Sequence, residues 1–174
     1  ERFGGVDYLI NNSGIARSVA VDSETYEDDW AISVEVLLTA HTRTIRAALP
    51  YLRQSDAARI VNIASTEGWG ATKFNSPYTA AKHGVIGLTK ALAVDLGREA
   101  ITVNYICPGP IDTAMTADIP DEHKIIFAKR RTALGRYAQP EEVAHGTFNF
   151  CLPASQYMTG AILPVDGGLL IKNA

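Results

Sequence analysis

The chain has 174 residues, 47% of them hydrophobic and 20% charged, which is enough apolar material for a folded core and excludes a disordered or low-complexity chain. Lys and Arg number 16 against 19 Asp and Glu, a net charge of −3, so no basic field draws in nucleic acid or an anionic membrane. Cys107 and Cys151 are the two cysteines; they are too few for a disulfide scaffold, lack CxxC spacing and suggest a reducing, cytoplasmic setting. No apolar run approaches the ~20 residues of a membrane span, and no leader pattern is read. The chain opens at Glu1 rather than Met and runs almost at once into an apolar segment, as the middle of a domain does.

In chain order, Val6-Asp7-Tyr8-Leu9-Ile10 predicts a strand stopped by the turn Asn11-Asn12-Ser13-Gly14. A long helix is predicted from Thr25 to Arg53. Thr25 or Asp22 caps it, the acidic Glu27, Asp28 and Asp29 suit its start, and Pro50 bends or breaks it near the end. Trp30, Val34, Leu37, Leu38, His41, Ile45 and Leu49 recur along it at helical steps. Arg59–Ile63 reads as the next strand and 64–75 as a loop. A helix then runs from Ser76-Pro77 to Leu96, with Gly97 as its stop. Ile101–Ile106 is a β-branched strand ending at Cys107-Pro108-Gly109-Pro110. Residues 113–133 read as a polar, partly helical excursion, Pro140–Leu152 as a helix, and Ala161–Val165 as a last strand before Asp166-Gly167-Gly168. Apolar strands alternating with helices define an α/β fold with a parallel sheet buried on both faces. With no repeat or linker, residues 1–174 form a single, partial domain.

Ligands of such sheets sit beyond the carboxyl ends of the strands, which directs attention to the segments after Asn11, Ile63 and Ile106. Tyr78 and Lys82 are four apart and share a helix face. An ammonium beside a phenol favours the phenolate and brings its pKa toward the working range; the plain alternative is a chance pair. Ser65 lies just past a strand end, where its hydroxyl is placed to donate to a carbonyl oxygen or merely to its own turn. Asn11, Asn12 and Pro108-Gly109-Pro110 end two further strands at the same rim, either as turn formers or beside a ligand. The four histidines show no paired ligand spacing, so no metal site is read. Ser65 lacks the G-x-S-x-G elbow of a hydrolase. Lys129-Arg130-Arg131 reads as a solvated stretch or, less simply, as a grip on an anion. Glu67, Trp69 and His41 fall near where a substrate would sit.

Taken in order, these residues resemble the short-chain dehydrogenase/reductase family over essentially the whole chain. Asn11-Asn12-Ser13-Gly14 is similar to its Asn-Asn-Ala-Gly turn. Ser65 with Tyr78-Thr79-Ala80-Ala81-Lys82 is similar to its Ser and Tyr-x-x-x-Lys elements. Cys107-Pro108-Gly109-Pro110-Ile111-Asp112-Thr113, Pro140-Glu141-Glu142-Val143-Ala144 and Val165-Asp166-Gly167-Gly168 resemble its later landmarks.

The resemblance implies a Rossmann-type, doubly wound sheet and an NAD- or NADP-dependent oxidoreductase interconverting a secondary alcohol and a ketone of the 3-oxoacyl, sugar, polyol or cyclic type. Ser65, Tyr78 and Lys82 would be catalytic. Lys82 and Tyr78, with Asn11, Ser13, Gly14, Pro108, Gly109, Ile111 and Thr113, would hold the cofactor, and 113–133 would be the substrate lid. The helices at 25–53 and 76–96, the second bearing Ala80, Ala81, Gly84, Gly87 and Ala91, would pair in a homodimer or homotetramer. Two departures are visible. Leu37 takes the place of an Asn that helps hold a water near the active-site lysine, so an altered proton relay is expected. No G-x-x-x-G-x-G occurs, and the first βαβαβ half, roughly 60 residues at ~30 per unit, is expected to be missing, leaving the first strand as an exposed apolar edge. The rival readings are a catalytically incompetent folding or oligomerisation module and a ligand-binding regulator without turnover.

Overall fold

The computed structural model describes residues 4–173. Four strands, β1 (Tyr8–Asn11), β2 (Arg59–Ile63), β3 (Thr102–Pro108) and β4 (Ile162–Val165), form one parallel sheet in sequence order. Five α-helices accompany it: α1 (Tyr26–Val34), α2 (Ala40–Leu52), α3 (Ser76–Leu96), α4 (Asp121–Arg131) and α5 (Pro140–Asn149). The sheet is doubly wound. Side chains of β2 and β3 alternate between faces, so Ile60 and Val103 pack with Ile45, Leu52 and Leu96 of α2 and α3, while Val61 and Ile106 pack with Val143 and Phe150 on the α5 side. Every residue of β2 is buried, and so is β3 up to Cys107, as expected for strands covered on both faces. β1 is different: Tyr8 is 44% and Ile10 40% exposed, and no strand lies on its outer edge among the described residues. The expected exposed apolar edge is present.

The helix predicted over 25–53 is present as an unbroken helical run, Tyr26–Leu52, but not as one α-helix throughout. A π turn over Glu35–Thr39 separates α1 from α2, adding a residue to one turn and rotating all that follows. Leu38 within it reaches α3, where a Cβ on Gly84 would come within 2.7 Å of Leu38 Cδ2. Pro50 does not break the helix where it stands; it lies within the last turn of α2, two residues before the end at Leu52, and removes one backbone N–H from that turn. α3 ends at Leu96 with Gly97 as its C-cap, as expected, but without left-handed geometry. Gly97 keeps helical geometry and opens a short 3₁₀ turn, and the left-handed residue is Ala100 at φ 57°. The small residues of α3 divide between its faces: Ala81 and Gly84 face inward, whereas Ala80, Gly87 and Ala91 are exposed beside Val94.

A buried polar seam ties the strand ends to the helices. Asn11 Nδ2 donates to Asn62 Oδ1 at 2.8 Å, Thr44 Oγ1 of α2 donates to Asn11 Oδ1 at 2.7 Å, and Asn62 Nδ2 donates to Thr89 Oγ1 of α3 at 2.9 Å. Buried amides satisfied in this way fix one register and one helix placement. No helix among the described residues is long and apolar enough to cross a membrane.

Candidate active site

A cleft of about 1810 Å³ opens beyond the carboxyl ends of β1, β2 and β3. Ser65, Tyr78 and Lys82 all line it, so the candidate that follows β2 and the two on α3 meet at one rim. Each is placed by local structure. Ser65 follows β2 and caps a 3₁₀ turn (Thr66–Gly68), its Oγ accepting the Glu67 N–H at 3.1 Å. That uses an oxygen lone pair and leaves the hydroxyl proton to donate. Tyr78 and Lys82 share the first turns of α3, which starts at Ser76-Pro77 with Pro at an early helical position. Lys82 is 4% exposed; its Nζ donates to the Ile63 carbonyl at 2.7 Å and lies 5.6 Å from the centre of the Tyr78 ring.

Burial sets the electrostatics. Lys82 is lowered to about 8, chiefly by loss of hydration. Tyr78 shifts opposite to the sequence expectation. Burial raises its phenol above the ordinary value, the Ser65 hydroxyl partly opposes this, and the Glu67 charge adds to the rise. The phenol is therefore held protonated at neutral pH, the form a proton donor needs.

Of the cofactor-binding candidates, Gly14, Pro108, Gly109, Ile111 and Thr113 line the cleft. Asn11 lies beneath it in the polar seam as a brace of the strand end, and Ser13 is exposed outside the cleft walls. Gly109 owes its identity to the protein itself: a Cβ there would come within 2.7 Å of Asp166 Cα, and its N–H donates to the Val165 carbonyl at 3.0 Å. Asp166 accepts the N–H groups of Gly168 and Leu170, both at 2.9 Å, and the Gly167 carbonyl receives Ala133 and Leu134. The Val-Asp-Gly-Gly landmark thus moors the segment after α4.

The sequence underrated Glu67. Its carboxylate accepts from Thr72 N at 3.0 Å, Thr72 Oγ1 at 2.7 Å and Thr79 Oγ1 at 3.0 Å, closing the 66–79 loop around the phenol. A carboxylate followed by several hydroxyl residues was the available signal. Glu67→Gln removes the charge that raises Tyr78, so the alkaline limb of any Tyr78-dependent rate should move to lower pH; an unmoved limb in a pH–rate profile would contradict this. Trp69 also lines the cleft, whereas His41 does not: it is buried below it. Leu37 is fully buried in the π turn and offers no polar group. On α4, His123, Ile126, Phe127, Arg130 and Arg131 face the cleft at helical steps, so the basic run is divided, with Lys129 outside it. Among the described residues no group of three His, Cys, Asp or Glu could hold a metal.

The residues present fit the nicotinamide-ribose end of a dinucleotide. Lys82 is a buried cation using one of its three donors on Ile63, which leaves two N–H groups at the cleft for a vicinal pair of hydroxyls. No glycine-rich turn for the pyrophosphate lies within the 174 residues.

Comparison with known proteins identifies the family. The family model described as enoyl-(acyl carrier protein) reductase matches residues 1–170. The 3-oxoacyl-acyl-carrier-protein reductase of Thermotoga maritima is 36% identical, over 98% of this chain and 69% of its own length. Among solved structures, the ligand-free aldohexose dehydrogenase of Thermoplasma acidophilum superposes with a TM-score of 0.91 at 30% identity, over 98% of this chain and 70% of that one. ElxO with NADP bound gives 0.89 at 28% identity, over 98% and 70%. The chain belongs to the short-chain dehydrogenase/reductase family. It is an NAD(P)-dependent oxidoreductase of that family, spanning about 70% of the length of the relatives it matches.

Proposed function

We propose that the protein interconverts a secondary alcohol and a ketone, with Tyr78 exchanging the proton. The observation that carries this reading is the convergence of Ser65, Tyr78 and Lys82 on one rim, with the phenol held protonated. In reduction the Tyr78 hydroxyl gives its proton to the carbonyl oxygen, and in oxidation the phenolate takes it back. Ser65, with its Oγ already accepting from Glu67 N, donates to the same oxygen and steadies its developing charge. Lys82 holds the ribose hydroxyls with its two free N–H groups and, as a buried cation near the ring, eases ionisation of the phenol during the reaction. Pro108, Gly109, Ile111 and Thr113 form the wall beside the nicotinamide, and Gly14 lies at the turn after β1. When bound, the cofactor supplies or accepts the hydride, while the protein contributes position and electrostatics. Residues 113–133 act as the substrate lid; Ile126 and Phe127, 63% and 41% exposed on the cleft side of α4, are apolar surface available to cover a substrate.

The relatives' names point to an oxoacyl thioester in one case and an aldohexose in another, and the substrate here is read as a carbonyl compound of the 3-oxoacyl, sugar, polyol or cyclic ketone type. The alternative reading is a folding or oligomerisation module without turnover. Titration with NADH and NADPH separates the two. Trp69 is 54% exposed at the cleft, so binding should change tryptophan fluorescence saturably and protect 113–133 from hydrogen exchange. A folded sample that responds to neither cofactor favours the module.

A further inference from the structure

The basic run that closes α4 takes no part in the proton transfer, yet part of it faces the cleft. His123, Ile126, Phe127, Arg130 and Arg131 recur at three- and four-residue steps, so they share one face of the helix, and all of them line the cleft. Lys129 does not. The helix is pinned in that orientation from both ends. Lys124 Nζ donates to Asp112 Oδ1 at 2.7 Å, Ala128 is buried, and Lys172 Nζ donates to the Lys129 and Thr132 carbonyls at 2.9 and 3.1 Å.

The cleft is charged opposite to the chain. In a protein of net charge −3, its walls carry Lys73, Lys82, Arg130, Arg131 and Lys172 against one carboxylate, Glu67, among the described residues. Glu67 is engaged by Thr72 and Thr79. Lys82 donates to the Ile63 carbonyl, Lys172 holds α4, and Lys73 lies 4.5 Å over the Phe74 ring. Arg130 and Arg131 are exposed and have no ion-pair partner among the described residues. Two arginines in a last helical turn complement the dipole, and a solvated helix end would account for them alone. It does not account for the exposed Ile126 and Phe127 on the same face, one turn or ~5.4 Å earlier. Apolar surface beside unpartnered guanidinium groups in a concave site suits a ligand with an apolar body and an anionic end.

We propose that the substrate of this site is a ketone bearing an oxyanion: its apolar body lies on Ile126 and Phe127, and its carboxylate or phosphate is held by the Arg130 and Arg131 guanidinium groups. Each guanidinium offers two parallel N–H donors to such a group, and the apolar wall beside it strengthens the contact. This inference rests on the ketone–alcohol reading of the site and narrows it, since uncharged sugars, polyols and cyclic ketones lack the group that the arginines grip.

The test titrates methyl-ketone carboxylates, from 4-oxopentanoate to 9-oxodecanoate, and their methyl esters into the protein, both alone and with NAD⁺ or NADP⁺, which cannot reduce them. The readout is the fluorescence of Trp69 at the cleft. At least one carboxylate should bind about tenfold more tightly than its ester. Added salt should shrink that difference, and inorganic phosphate should displace the carboxylate but not the ester. Arg130→Gln combined with Arg131→Gln should abolish the preference, whereas Lys129→Gln, a charge lost from the same turn outside the cleft, should keep it. The two single variants, each on an exposed side chain, decide if the double variant does not fold. Equal affinity for acid and ester, a preference that survives loss of the arginines or falls equally in Lys129→Gln, or binding of neither probe in any state overturns the proposal. So does a double variant that loses affinity for NADH or NADPH and not for the carboxylate, because the arginines would then serve the dinucleotide phosphates. Failure of the ketone–alcohol reading would show separately, as a tightly bound carboxylate that NADH and NADPH never reduce, whereas the titration needs no turnover.

Discussion

Replacing Lys82 by Met is expected to stabilise the cofactor-free protein by about 1–2 kcal/mol at neutral pH while abolishing turnover. The lowering of Lys82 from 10.5 to about 8 by burial corresponds to roughly 3 kcal/mol spent on keeping the charge inside. Against that gain stands the Ile63 carbonyl, which loses its 2.7 Å donor and costs about 1–2 kcal/mol as a buried acceptor left without one. The sign of the pH dependence follows from the same shift. Between about 8 and 10.5 the unfolded chain binds the lysine proton and the native protein does not, so parental stability should rise with pH across that window. Below it both states are charged and the full penalty is present. Denaturant melts of parent and Lys82→Met at a series of pH values check both statements. A less stable variant, or a parent whose stability is flat above pH 8, would contradict the buried-cation picture.

Tyr78→Phe is expected to lower kcat for ketone reduction by about 10²–10⁴-fold, or roughly 3–5 kcal/mol of transition-state stabilisation, the range associated with loss of general acid catalysis. The change removes one oxygen at the cleft and leaves the ring on α3, so the fold should survive. Because burial keeps the phenol protonated, the parent should reduce ketones at neutral pH and oxidise alcohols better as pH rises. Steady-state kinetics in both directions test this, and a Phe variant that retains the parental kcat would take the phenol out of the reaction.

The parts of this architecture written in local chemistry were legible in the sequence. Apolar β-branched runs ending in Asn, Ser or Pro-Gly turns located the strands and the rim where Ser65, Tyr78 and Lys82 meet, because strand ends and turn residues follow from short-range sterics and hydrogen bonding. What depended on tertiary contact was not. The apolar spacing from Trp30 to Leu49 fits one helix, and only the packing of Leu38 against Gly84 of α3 shows the π turn that divides it. Gly109 lines the cleft, but the Asp166 backbone packed against it had no local signal. The Tyr78 shift was misjudged for a related reason. Spacing brings an ammonium near a phenol, but the direction of the shift depends on how much water both have lost and on the Glu67 charge beside them. The burial of His41 had no local signal at all, since helical spacing places it among core residues without saying what its nitrogens meet.

The most direct test mixes the cofactor-saturated protein with a panel of ketones, comprising a 3-oxoacyl thioester, a ketose and a cyclic ketone, and follows consumption of the dihydronicotinamide absorbance in a single turnover. The account predicts oxidation of the cofactor with at least one of them, at a rate that falls as alkali deprotonates Tyr78. A folded, cofactor-bound protein that leaves every ketone unreduced at all pH values, or reduces one at a rate indifferent to pH, would contradict it.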